Sequence, residues 1–106
     1  VFYYFETYKM ILRIVKMGFI PDQIDAFLEN FELHKDLIRN FEGCSHLKLL
    51  RDITHSNQFF TYSHWESEVH LNNYRNSTLF KEVWKNTKNK FNQKPEAWSV
   101  TEVSNL

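Results

Sequence analysis

The sequence of 106 residues carries thirteen basic and thirteen acidic side chains. With no net field to hold a polyphosphate or an anionic membrane surface, neither nucleic acid nor membrane is an expected partner. The length suits one hydrophobic core, and no apolar run approaches the roughly 18 to 20 residues that span a bilayer. The first residues lack the basic start and apolar stretch of a secretory signal, and the single cysteine, Cys44, cannot form an internal disulfide, so the cytoplasm is the expected location.

Ten phenylalanines, five tyrosines and three tryptophans stand against only two glycines and two prolines. Aromatic side chains fill cores first, and they also wall pockets for flat ligands. Val1 to Lys9 is a dense aromatic tract unlike the regular pattern of the later residues. It reads as an appendage to a domain spanning 10–106: either sequence ahead of a natural start at Met10, or an extra strand on an edge or a partner.

Met10 to Phe19 is crowded with β-branched and apolar residues and predicts a strand with two apolar faces. Pro21 and Asp22 supply first-turn chemistry for a helix whose stripe is Ile24, Phe27, Leu28, Phe31, Lys35 and Ile38, stopping near Gly43. Cys44 to Arg51 alternates as a second strand, Asp52 to Asn57 is a polar turn, and Phe59 to Trp65 is an aromatic third strand, which makes a hairpin. Ser67 opens a short helix to about Tyr74. Ser77 caps another, in which Phe80, Val83, Trp84, Thr87 and Phe91 share a face until Pro95. Ala97 to Val103 alternates as the last strand.

The order is βαββαβ, an α+β pattern of the ferredoxin-like type: a four-stranded antiparallel sheet with helices on one face. Helices on one side cover one face only, while the first and third strands are apolar on both. A second copy packed sheet to sheet is therefore expected, giving a homodimer.

Five histidines, His34, His46, His55, His64 and His70, form no H-x-H or H-x-x-x-H pair. Only His64 with Glu66 and His70 approaches a metal-ligand set, and a solvated or structural role outweighs it, so no metal site is expected. No phosphate-cradling glycine loop and no nucleophile elbow occurs. Asn76-Ser77-Thr78 fits a glycosylation acceptor but reads as a helix cap. The corner Tyr62-Ser63-His64-Trp65-Glu66-Ser67 is the strongest candidate for chemistry, because adjacent strand residues point to opposite faces just before a helix. A histidine there can act as a base near neutral pH, and Tyr62, Tyr74 or Arg13 can steady an oxyanion. Against this stands the plainer reading, in which Trp65 and Tyr74 are core and His64 packs at an interface.

From Met10 to Val103 the chain resembles the antibiotic biosynthesis monooxygenase family of the dimeric α/β-barrel superfamily, which includes small quinol monooxygenases and haem-degrading enzymes. The resemblance is carried by Ile11-Leu12-Arg13-Ile14-Val15-Lys16 and Phe41-Glu42-Gly43-Cys44. It continues through Phe60-Thr61-Tyr62-Ser63-His64-Trp65-Glu66-Ser67, Tyr74-Arg75-Asn76-Ser77 and Phe80-Lys81. It implies a cofactor-independent monooxygenase that oxidises an electron-rich quinol or polyphenol with molecular oxygen, the substrate lying between helices and sheet. On that likeness His64, Trp65, Tyr62 and Tyr74 are the candidate catalytic residues, and Arg13, Val15, Thr61, Phe80 and Trp84 the candidate substrate-binding ones. The haem-degrading branch uses an asparagine, a tryptophan and a histidine ligand where Val15, Tyr74 and Trp84 stand here, so its iron would have no proximal ligand. The asparagine that often precedes the corner tryptophan by four residues is replaced by Thr61. The alternative function is a non-catalytic module that binds an aromatic ligand or serves dimerisation.

Overall fold

The computed structural model describes residues 10–106, so the readings of Val1 to Lys9 lie outside the described residues. Four strands, β1 (Ile11–Gly18), β2 (Cys44–Arg51), β3 (Gln58–Trp65) and β4 (Glu96–Val100), form one antiparallel sheet in the order β2-β3-β1-β4. Three helices, α1 (Ile24–Arg39), α2 (Glu68–Arg75) and α3 (Thr78–Lys88), complete the ferredoxin-like α+β fold. The chain order and the four-stranded antiparallel sheet are those the sequence pattern predicts.

Local chemistry explains the helix boundaries, with three departures from expectation. Pro21 lacks a backbone donor and starts a single 3-10 turn (Pro21–Gln23) that leads into α1. The first helix ends at Arg39, earlier than expected: the Asn40 N–H donates to Asp36 O, and Phe41–Gly43 turn the chain into β2. Gly43 has φ +91°, and a side chain there would fall on the His70 ring, so glycine serves this turn and not the helix cap. Ser67 and Ser77 do cap α2 and α3, accepting from the N–H groups of His70 and Phe80 at 3.3 and 3.1 Å. Helix α3 stops at Lys88, before Phe91. That residue instead bridges Phe19, its ring 5.3 Å from the Phe19 ring, and plugs the end of the core. Strand β4 ends at Val100 and not Val103, because Leu12 and Val100 are the last matched pair with β1.

The helix-side core is divided. One cluster, Met17, Phe19, Ile24, Phe27 and Phe59, lies at the C-terminal end of β1, with the Phe19 and Phe27 rings stacked at 4.0 Å. The other, Cys44, Trp65 and Leu71 with Ile11, Phe41 and Tyr74 against it, lies at the opposite end of the sheet. A β-bulge between Cys44 and His46 turns Cys44 inward beside Trp65 and His46 outward beside His64.

Candidate functional site

The helix-facing row of β3 reads Phe59, Thr61, Ser63, Trp65. Its ends are large and its middle is small, and Val15 on β1 and Ala97 on β4 continue the shallow centre across the sheet. Between the two core clusters this leaves a cavity of about 400 Å³. Single waters occupy only about 30 Å³ of liquid, whereas ligand sites run from about 300 to 1,000 Å³, so the space has the size of a ring system. Phe31 of α1, Tyr74 of α2, and Phe80 and Trp84 of α3 wall it.

Trp65 anchors one end. It is 1 % exposed, stacks on Tyr74 with ring centroids 4.8 Å apart, and meets the edge of Phe41 at 6.4 Å. Its Nε1–H donates to Ser63 Oγ at 2.9 Å, inside the protein. Because the indole has one donor and no acceptor, this bond fixes the ring plane that faces the cavity. Phe80 and Trp84 stack along α3 at 6.0 Å with planes 10° apart and form the opposite wall.

Of the residues expected from sequence, Arg13, Val15, Thr61, Trp65, Tyr74, Phe80 and Trp84 all line this cavity. Tyr62 and His64 do not, and the corner is thereby split. They occupy the other parity of β3, where their rings lie 5.1 Å apart, and the His46 and His64 rings are 4.8 Å apart. The sheet itself stands between His64 and the cavity, so His64 is not among the residues that line it. His64 Nε2 is buried and has no hydrogen-bond partner among the described residues. Burial and the neighbouring His46 hold the imidazole below its ordinary pKa, with Glu102 opposing and Lys48 adding to the effect.

Sequence reasoning named Ser63 within the corner but gave it no role, and gave no site role to Arg75, Asn30 or Thr87; all four line the cavity. Ser63 was legible as a small residue at an inward position of an aromatic strand. Arg75 was not, since a basic residue ending a helix is ordinary. Arg13 donates from Nη1 to Ser99 Oγ at 3.0 Å, and its pKa is lowered by burial and by the nearby Arg75 charge. Burial pushes the Tyr74 phenol far above its ordinary 10.0, so it remains a proton donor. The cavity thus offers two guanidinium groups, a neutral phenol and aromatic walls: it can stabilise an anion on a flat ring, and no lining residue is a histidine.

At the other end of the corner, His70 is held by Ser67 Oγ at 2.7 Å from Nδ1, with Glu66 Oε2 3.8 Å from Nε2. Since His64 points away, these do not converge, and among the described residues no group of three His, Cys, Asp or Glu is placed to hold a metal ion.

The family model for antibiotic biosynthesis monooxygenases matches residues 10–86. The chain belongs to that family. Solved structures with the same fold include a conserved protein of Methanosarcina mazei, 18% identical with a TM-score of 0.84, covering 92% of this chain and 96% of that one. A Bordetella bronchiseptica protein assigned to the antibiotic biosynthesis monooxygenases is 22% identical with a TM-score of 0.80, covering 91% and 99%. A Caulobacter crescentus protein of the same assignment is 17% identical with a TM-score of 0.82, covering 96% and 99%. No functionally curated protein matches the sequence. In this family member, Val15, Tyr74 and Trp84, the three positions that depart from the haem-degrading pattern, lie around the same cavity. Among the described residues, no helix is long and apolar enough to cross a membrane.

Proposed function

We propose that this family member is a monooxygenase that converts an electron-rich hydroquinone or polyphenol to a hydroxylated quinone with molecular oxygen, inside the cavity beside Trp65. The carrying observation is a ring-sized aromatic cavity lined by a neutral phenol and by a guanidinium whose one hydrogen-bond partner among the described residues is a neutral hydroxyl. Arg13 stabilises the phenolate formed when the substrate loses its hydroxyl proton to solvent, and Tyr74 donates to the oxyanion. Trp65, Phe80 and Trp84 hold the ring and exclude water, with Val15 and Thr61 as its floor.

The phenolate supplies all the electrons. One electron passes to oxygen, the radical pair closes a C–O bond, and the resulting peroxide breaks its O–O bond as the same carbon loses its hydrogen. A carbonyl and water result. For a naphthohydroquinone the balance is one hydroquinone plus one O2 giving one hydroxynaphthoquinone plus one water, so no separate reductant is consumed.

We also propose that the protein acts as a homodimer through the outer sheet face. Leu12, Ile14, Phe60, Tyr62, Leu50, Trp98 and Val100 share that face by their cross-strand pairing, and Leu50, Trp98 and Val100 are 45%, 42% and 40% exposed. The reading of the cavity as a non-catalytic aromatic-binding site is separated by turnover. With naphthohydroquinone and isotopically heavy oxygen, the expected product is hydroxynaphthoquinone carrying one heavy atom, and Tyr74→Phe lowers its rate by about tenfold to a hundredfold without lowering Tm. Naphthoquinone with peroxide at the autoxidation rate would overturn the monooxygenase reading.

A further inference from the structure

The charge around the cavity points to more than a phenol. Arg13 and Arg75 both border it, on β1 and at the end of α2, close enough for each to act on the other's charge. Among the described residues neither guanidinium has a carboxylate partner; the ion pairs there involve Lys16, Lys35, His55 and His70. The one acidic residue among those lining the cavity, Glu96, lies 3.8 Å from Lys16 Nζ at the sheet edge. Arg13 has one hydrogen-bond partner among the described residues, the neutral Ser99 Oγ, and Arg75 stands exposed at the rim. The two like charges repel each other, and burial costs the Arg13 guanidinium part of its hydration, so an anion placed between them is favoured. A phenolate cancels one charge and leaves the second.

We propose that the ligand is a hydroxylated aromatic acid, its phenolic oxygen facing Arg13 and an adjacent ring carboxylate taken by Arg75. This rests on the cavity being the substrate site, and it narrows the substrate from any quinol to one with a carboxylate ortho to the reactive hydroxyl. A planar guanidinium suits that group, because its forked donors match both carboxylate oxygens, whereas a neutral ring would leave Arg75 without a partner. The flat walls set by Trp65, Tyr74 and Trp84 admit the ring without regard to charge, so the arginines carry the selection.

Binding can be measured apart from turnover, by tryptophan-fluorescence titration under anaerobic conditions. The probes are an ortho-hydroxynaphthoate and its methyl ester, which share ring and phenol and differ in the carboxylate charge. The acid is expected to bind about tenfold more tightly than the ester, and added salt is expected to narrow the gap. Arg75→Gln is expected to bring the two affinities together by weakening the acid far more than the ester, and Arg75→Lys to keep part of the preference. Equal binding of acid and ester by the unmodified protein, or an undiminished preference in Arg75→Gln, overturns the proposal. Oxygen uptake with an uncarboxylated naphthohydroquinone is read separately. Uptake without acid preference leaves the oxygenase standing and removes the carboxylate site, and acid preference without uptake does the reverse.

Discussion

Replacing Ser63 by alanine tests the idea that the cavity wall is set by one buried hydrogen bond. Ser63 Oγ accepts the Trp65 Nε1–H at 2.9 Å, and Trp65 is 1 % exposed, so losing the acceptor leaves a buried donor. Alanine nearly matches serine in volume, so packing changes little and the main effect is an unpaired buried donor, costing about 1–3 kcal/mol. For a domain of this size each kcal/mol moves Tm by about 4–8 °C, giving an expected fall of about 4–24 °C. Trp65→Phe removes the donor and part of the stack on Tyr74, 4.8 Å away, and destabilises on its own. In the double variant neither partner is orphaned, so its loss is expected to be smaller than the sum of the two by about 1 kcal/mol. Urea unfolding followed by far-ultraviolet circular dichroism, at one fixed protein concentration, supplies all four free energies. A Ser63→Ala loss below about 0.5 kcal/mol, or strict additivity in the cycle, would refute the reasoning.

Two further outcomes are expected from the charges on either side of the sheet. His64 sits below its ordinary pKa of 6.5 on the outer face, beside His46 and Lys48, with Glu102, Lys16 and Glu96 the other charged groups toward that face. Its neutral form is favoured in the fold, so its contribution is complete above 6.5 and is lost as pH falls through the lower folded value. The fold is expected to melt more easily across that window, and the proposed dimer to dissociate more readily, with His64→Gln flattening the slope; an unchanged slope in that variant would remove His64 as the cause. On the helix side, Arg13→Gln is expected to move the rising limb of the pH–rate profile for naphthohydroquinone oxidation upward by about one unit or more, since the bound phenol then ionises less readily. An identical profile with a merely lower plateau would exclude Arg13 as the group that favours the phenolate.

The order of elements was legible because each is written in local chemistry: β-branched crowding in β1, the three-and-four stripe of α1, and serine caps on α2 and α3. The boundaries that moved depend on partners distant in sequence. Phe91 continues the spacing of the α3 stripe, yet Phe19 draws it into a bridge, and the chain leaves the helix to make it. The bulge at Cys44 to His46 shifts the parity of β2, which alternation alone does not reveal. The wall residues Trp65, Tyr74, Phe80 and Trp84 were legible from the family likeness, and the strand pleat already placed His64 opposite Trp65. Sequence did not reveal which side of the sheet held the helices' cavity, and so the imidazole rather than Arg13 and Arg75 received the first claim on the proton chemistry.

That reassignment changes what the site has to do. A base is one route to a phenolate; a positive field that makes the phenolate the stable form is another. A unit charge about 4 Å from a phenolate, at an effective dielectric near 20, is worth roughly 4 kcal/mol, or about three pKa units. A phenol of ordinary pKa near 10 is thereby brought toward neutrality by one guanidinium, before any second charge acts. Arg13 faces the cavity with only the neutral Ser99 hydroxyl as its hydrogen-bond partner among the described residues. Tyr74, held neutral by burial, adds a donor that cannot itself ionise under the same conditions and so does not compete for the negative charge. The absence of an imidazole from the wall is therefore compatible with the proposed oxygenation: on that proposal the substrate's proton would leave to solvent and the arginine would hold the anion for its reaction with oxygen.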